Sequence, residues 1–326
     1  MKPFNLFPYG SNIHFMRLRW VSLTIAALLM FVSLGAMVFN TVRDGHINGA
    51  GTFNYALDFT GGVLVEVAFD QPIEVAQVRE SLEKGGLHNA VVQSLGGTRE
   101  VSIRLQPEGG QKDADKIAAN VLEKLKAARP DVTLKRHDFV GPQVGEELKG
   151  DGLVAVAFVI LGIMIYIGIR FEWRFAVAAI ASEFHDTILT VGFFALTQME
   201  FDLTVLASLL AVIGYSINDK VVVFDRVREL FRLTRKAEPY EVLNKAINQT
   251  LSRTIMTSVL TGIAMAALYF FGGPAVHGFA LTMLIGIVIG TLSSIFFANP
   301  ILYWLGVSKK DLMPVSKENP ELARRP

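Results

Sequence analysis

Cysteine is absent from all 326 residues. Disulfides and thiolate metal sites are therefore excluded, and any part outside the cytoplasm must fold on its core alone. Charge of one sign is missing too. The 31 Lys and Arg against 30 Asp and Glu leave a formal net charge of +1, so nothing argues for nucleic acid as a partner. There is no Gly-Lys-Ser/Thr phosphate loop, so ATP is not the evident energy source. No serine elbow or other nucleophile-and-base arrangement is evident, and the chain reads as a non-enzyme without a bound cofactor. What is abundant is apolar: 51% of residues are hydrophobic, too many for an ordinary soluble domain and enough for several membrane spans.

Residues 1–20 are a short segment with Arg17 and Arg19 at its end, before the apolar run 21–39. A secretory signal is the competing reading. The run is longer than a usual signal core and ends in Met37-Val38-Phe39-Asn40 without a small-x-small site, so we read a retained first span. From 40 to 149 the composition is that of a soluble domain. An Asp58-Phe59-Thr60-Gly61-Gly62 turn precedes an alternating strand at 63–69. A helix at 72–87, strands at 89–95 and 100–105 joined by Gly96-Gly97-Thr98-Arg99, a helix at 112–128 and a strand at 132–140 follow. Strand, helix, strand, strand, helix, strand is the ferredoxin-like pattern. Five further apolar stretches lie at 152–169, 175–196, 203–228, 255–271 and 279–305, and the tail from 309 is polar, with Pro314 and Pro320. It is expected to be disordered. The fold class expected is an α-helical polytopic membrane protein with six transmembrane helices and a ferredoxin-like α+β periplasmic domain between helices one and two.

Lys and Arg cluster at the N-terminus, at Arg170 and Arg174, across 226–253, and at Lys309 and Lys310, whereas the turns 198–202 and 272–278 carry none. Six spans with both termini cytoplasmic satisfy every short loop. The 226–249 stretch reads as a basic amphipathic helix on the cytoplasmic surface, against lipid.

The fourth span, LTVLASLLAVIGYSINDKVVVFDRVR, contains Asn218 and Asp219 and closes on Asp225, Arg226 and Arg228. A carboxylate inside a span is unfavourable by about 2.5–3.5 kcal/mol on insertion scales and by default marks function. Asp219 lies about 9 Å deeper than Asp225, too deep for a short side chain to reach the surface. Helical spacing puts Ser208, Tyr215, Ser216 and Asp219 on one face, a candidate ion path; a helix–helix hydrogen-bond anchor is the alternative. Arg253 starts the fifth span with Thr257 and Thr261 below it, either as a counter-charge for Asp219 or as an ordinary cytoplasmic anchor. In the third span His185 and Asp186 are neighbours, but consecutive residues point about 100° apart and make no catalytic dyad. For Asp186 the ion-path and packing roles both stay open. The sixth span repeats small residues at Gly278, Thr282, Gly286, Gly290 and Ser294, a close-packing signal.

Several strings together resemble one family. Val212-Ile213-Gly214-Tyr215-Ser216-Ile217-Asn218-Asp219 followed by Val221-Val222-Val223-Phe224-Asp225-Arg226 is similar to the fourth span of SecF-type members of the SecD/SecF protein-export family, in the resistance–nodulation–division superfamily. Leu57-Asp58-Phe59-Thr60-Gly61-Gly62, Gly141-Pro142-Gln143-Val144-Gly145, Gln249-Thr250-Leu251-Ser252-Arg253-Thr254, Phe271-Gly272-Gly273-Pro274 and Leu281-Thr282-Met283-Leu284-Ile285-Gly286 resemble further motifs of that family, in order. The resemblance implies a heterodimer with SecD, association with the SecYEG channel, and use of a proton or sodium gradient to help draw a preprotein chain across. It implies ion-coupling roles for Asp219 and Arg253, and family positions at Asp225 and Asp186. Lys220 is the least expected residue, since a second cation there could compete with Arg253. A small-molecule efflux half-transporter of the same superfamily is the alternative function; a purely structural assembly factor is a third.

Overall fold

The computed structural model describes residues 11–43, 51–87, 90–95, 98–105, 111–234 and 238–308. The expected Gly96-Gly97 turn, the start of the expected strand at 89 and the tail from 309 lie outside these residues. Among the described residues, six helices are long and apolar enough to cross a membrane: Phe15–Arg43, Gln143–Arg170, Trp173–Thr197, Leu203–Leu233, Pro239–Phe271 and Ala275–Trp304. The chain divides into two compact units, one holding 53–156 and 199–206 and the other the remainder.

In the first unit the elements run β1 (Asn54–Tyr55), α2 (Leu57–Thr60), β2 (Gly62–Phe69), α3 (Val75–Lys84), β3 (Val91–Ser94), β4 (Glu100–Leu105), α4 (Gln111–Ala128), β5 (Val132–Val140) and the start of α5 (Pro142–Arg170). The four-stranded antiparallel sheet has the order β3-β4-β2-β5, which is the ferredoxin-like arrangement. Alternation along β2 sends Val63, Val65, Val67 and Phe69 into a core with Val78 and Leu82 of α3 and Ala118, Val121 and Leu125 of α4. One face of the sheet is thereby sealed by two amphipathic helices.

A second, two-stranded piece belongs to the same unit. β1 pairs in parallel with β6 (Glu200–Phe201), Asn54 opposite Glu200 and Tyr55 opposite Phe201. Phe53 stacks on Phe201 at 5.1 Å between centroids, and Tyr55 and Phe59 complete the aromatic cluster. Arg104 spans it, donating to the Tyr55 carbonyl and to Asn54 Oδ1 and lying 3.5 Å from Glu200. Burial pushes the Glu200 carboxyl above its ordinary value, against the pull of Arg104.

The Asp58-to-Gly62 turn explains its own residues. Gly61 and Gly62 adopt φ of 66° and 123°, the region that glycine enters without steric cost. A Cβ on Gly62 would lie 2.6 Å from the Leu105 carbonyl oxygen, and one on Gly145 would lie 3.0 Å from that of Phe59. Asp58 Oδ2 accepts the Leu203 backbone N–H at 3.1 Å, while Asp202 Oδ1 accepts that of Val205 at 2.7 Å. These carboxylates satisfy free amides at the start of α7 (Leu203–Leu233) and face the positive end of its dipole.

The second unit holds α1 (Arg19–Arg43), the rest of α5, α6 (Trp173–Thr197), most of α7, α8 (Pro239–Phe271), α9 (Pro274–Phe296) and α10 (Ala298–Trp304). α1 packs on α6, where a Cβ on Gly192 would collide with the Ser33 side chain, and Asn40 Nδ2 donates to the Ala195 carbonyl at 2.6 Å. α6 ends at Gln198, which takes a left-handed φ of 53°. Its amide holds that cap, donating to the Ala195 and Thr52 carbonyls at 2.8 and 3.3 Å. The sixth span bends at Phe297 because Pro300 has no N–H for the Phe296 carbonyl. Asn299 Nδ2 donates to the Ser294 carbonyl at 2.7 Å, across the same break.

The expected surface helix at 226–249 is not a separate element. α7 runs on to Leu233 and α8 starts at Pro239. Val242, Leu243, Ala246 and Ile247 are buried with Phe224, Val227, Leu230 and Phe231 in the main core of this unit. The apolar face of the basic segment is spent on a neighbouring helix, because burying it there excludes water from both partners at once.

The small residues of α9 meet α7. A Cβ on Gly286 would collide with the Val212 side chain, and one on Gly290 would lie 2.6 Å from Ser216 Oγ and 3.4 Å from its Cα. Gly290→Val is expected to destabilise the protein by about 1–3 kcal/mol through overpacking, seen as a lower thermal midpoint in detergent. Gly262 has nothing within 4 Å of its Cβ position, so Gly262→Ala is expected to be neutral or stabilising by about 0.4–1 kcal/mol. Equal midpoints for the two variants would contradict this packing.

Candidate functional site

Two charged groups one residue apart on α7 face different neighbours. Consecutive helical side chains diverge by about 100°, and this divergence separates Asp219 from Lys220.

Lys220 is wholly buried, and its ammonium is fully engaged by α6 and by its own helix. Nζ donates to Glu183 Oε2 at 2.8 Å, Asp186 Oδ2 at 2.7 Å and Ser216 Oγ at 2.8 Å. These are the three acceptors that an ammonium can use. Asp186, also at 0% exposure, collects further donors: Ser216 Oγ at 2.5 Å, Ser293 Oγ of α9 at 2.7 Å, and His185 Nδ1 at 2.9 Å. Ser182 Oγ lies 3.1 Å from Ser293 Oγ. Charge-assisted bonds of this kind are short and strong, and here they join α6, α7 and α9 in one network.

His185 and Asp186 do touch, at 2.9 Å, which corrects the expectation that neighbours on a helix stay apart. Their Cβ directions diverge, but side-chain rotation brings the imidazole edge back onto the carboxylate. The His185 ring stacks on Phe297 at 4.2 Å between centroids.

Asp219 stands apart. It is 4% exposed, and among the described residues its carboxylate has no hydrogen bond or ion pair. Arg253 of α8 and Lys220 are the cations whose fields reach it. Arg253 is itself exposed. Among the described residues no hydrogen bond or ion pair joins it to Asp219.

The other candidate residues divide clearly. Ser216 belongs to the lysine network. Tyr215 packs beside Val212, Met283 and Ile287, with its hydroxyl buried and without a hydrogen-bond partner among the described residues. Asn218 lies on the exposed face of α7. Thr257 bonds backwards to the Arg253 and Thr254 carbonyls of its own helix at 3.1 and 2.9 Å. Asp225 is held at the end of α5 by Arg170 at 2.7 and 2.8 Å, with Arg228 at 3.4 Å and Glu172 beyond it. Its side chain is 40% exposed, so this is a surface cluster and not a continuation of the Asp219 site.

Glu183 and Ser293 were missed in the sequence reading. The signal was present: Ser182, Glu183, Asp186 and Thr190 fall on one helical face by their spacing, opposite a lysine in the next span. Two carboxylates and one ammonium in adjacent spans are a buried ion cluster in outline.

Removing the cation should be severe. Lys220→Met leaves two buried carboxylates without their counter-ion, a loss of about 3–5 kcal/mol, read as lowered membrane levels and thermal midpoint. Adding Glu183→Leu removes one stranded acid and should restore part of that loss. No restoration in the double variant would refute the pairing.

The comparisons with known proteins agree with this architecture. Residues 120–308 match the family described as protein export membrane protein SecD/SecF, C-terminal, and residues 51–73 match the SecD/SecF GG motif. The chain is 44% identical over 303 residues to the protein translocase subunit SecF of Pseudomonas aeruginosa, covering 93% of this chain and 94% of that protein. It is 42% identical over 310 residues to the SecF of Haemophilus influenzae, covering 94% and 91%. It also resembles the crystal structure of SecDF, a translocon-associated membrane protein from Thermus thermophilus, with a TM-score of 0.79 and 34% identity. That match covers 92% of this chain, which spans 39% of the length of that protein. With the matched family region covering more than half of the chain and near full-length similarity to SecF proteins, the chain belongs to the SecD/SecF family of protein-export membrane proteins, on its SecF side.

Proposed function

We propose that this chain is the SecF half of an ion-driven accessory to protein export, paired with a SecD subunit and acting beside the SecYEG channel on the emerging preprotein. The observation that carries the reading is Asp219. It is a nearly buried carboxylate within a membrane span, without a direct partner among the described residues and within the field of Arg253. A carboxylate already bonded to a cation would have to break that bond to take up a proton. One held by a field alone changes its charge with little rearrangement of its own contacts.

In this cycle a proton, or sodium in its place, reaches Asp219 from one side of the membrane and cancels its attraction to Arg253. α7 and α8 shift relative to one another, and the charge state of one residue selects between two helix arrangements. α7 is continuous from Leu203 to Leu233, so its first turn, bonded to Asp58, moves with it. The ferredoxin-like unit is the part that handles the emerging chain. In this reading both termini lie in the cytoplasm and the ferredoxin-like unit on the other side of the inner membrane, which the distribution of Lys and Arg over the short loops supports.

Asp219→Asn keeps the shape of the side chain and removes its charge cycle. Maturation of an exported precursor should fall to the level of cells lacking the protein, at equal membrane abundance. Arg253→Lys should retain more stimulation than Arg253→Ala, because the field survives in the first and not in the second. Full stimulation with Asp219→Asn would overturn the mechanism and leave Asp219 a packing residue.

A further inference from the structure

The lysine network sets two carboxylates against one permanent cation, and its geometry decides where the difference is settled. Lys220 supplies one positive charge to two buried carboxylates, Glu183 and Asp186. With both acids ionised and the imidazole beside Asp186 neutral, the cluster carries an uncompensated negative charge in a low-dielectric interior, which is strongly unfavourable. One bound proton removes it. Asp186 is the poorer place for that proton, since both its oxygens accept bonds, from Lys220, Ser216, Ser293 and His185. Each of those donors favours the ionised form.

Glu183 differs. It is 7% exposed. Oε2 accepts from Lys220, and Oε1 is buried with no hydrogen-bond partner among the described residues. A buried oxygen with no donor is the position where a proton costs least and an anion costs most. Glu183 also lines a cavity of about 20 Å³ with Ile160, Ile163, Met164, Thr187 and Ile213. That volume suits a single water, with Thr187 as the other polar side chain on its wall.

We propose that Glu183 is a second protonatable carboxylate of the membrane region, separate from Asp219, which takes up and releases a proton at Oε1 through this cavity. The charged groups facing it are the Lys220 ammonium from α7 and Asp186 from its own helix, and His185 bonds Asp186 rather than Glu183. From α5 it meets only apolar side chains in the cavity wall. Ser293 of α9 reaches it through Asp186, and Asp219 lies beyond Lys220 on another face of α7. Protonation of Glu183 leaves the Lys220–Asp186 pair neutral as a unit. Loss of that proton returns a negative charge beside Lys220 and lowers the share of the lysine field felt at Asp219. Glu183 thus sets the charge background of the coupling carboxylate without touching it. The existence of the site does not depend on whether Asp219 drives export.

Difference infrared spectroscopy on the full-length chain in lipid vesicles, between acidic and alkaline buffer, tests this directly. The measurement is made in the Asp219→Asn background, where the Asp219 acid band is absent whatever its role. A protonated-acid carbonyl band that shifts in D₂O is expected there. It should vanish in Asp219→Asn/Glu183→Gln, and move rather than vanish in Asp219→Asn/Glu183→Asp, which keeps an acid if the amide variant fails to fold. Superimposable spectra from the Asp219→Asn protein with Glu183 intact and with Glu183→Gln added would overturn the proposal. So would a band lost with Asp186→Asn and retained with Glu183→Gln. Neither result would bear on Asp219, whose role is read from export.

Discussion

The ammonium of Lys220 is the interaction on which the membrane unit depends. A lysine can be wholly buried if its charge is matched and its three protons are used, and here Glu183, Asp186 and Ser216 do both. This fixes α6 against α7. Through Ser293 it also fixes α9, which can come close because Gly290 leaves room for Ser216. The small-residue stripe and the polar network are two halves of one packing solution. Small side chains bring the backbones together, and hydrogen bonds in the space thus formed give the contact its register.

The same arrangement explains why adjacent opposite charges on one helix do not neutralise each other. Lys220 has a long stem that reaches α6, whereas Asp219 has a short one that stays on its own face. With the lysine bonded to α6, Asp219 makes no hydrogen bond or ion pair among the described residues. Isolation of that kind is unfavourable for folding and useful for switching, because a group without strong bonds can change its charge without first breaking them. The network thus contributes rigidity where the helices must hold together and leaves one carboxylate outside it.

In the ferredoxin-like unit the family-like motif residues act mainly on backbone geometry. Gly61 and Gly62 occupy left-handed φ, Gly145 permits a close approach to the turn, and Asp58 caps the start of α7. They determine how one turn meets the first residues of a helix, and the parallel β1–β6 pairing with its aromatic cluster reinforces that junction.

By itself the sequence determined the six spans and the ferredoxin-like order of elements, and it marked Asp219 as a carboxylate in an apolar run, because each is a local property. Span length, alternation along β2 and a carboxylate in an apolar run all lie within one segment. The basic 226–249 stretch showed its amphipathic face, but not that this face would be buried between α7 and α8. Tertiary structure alone decided the partners. Glu183 and Ser293 lie on different helices from Lys220, and their meeting depends on which helix faces pack, a long-range outcome that local periodicity cannot encode. Tyr215, Asn218 and Thr257 share a polar character with Asp219 but not its surroundings, because a helical face a few residues wide is divided among several neighbours. Where a charge ends is set by the nearest packed helix, and that is a property of the assembled bundle.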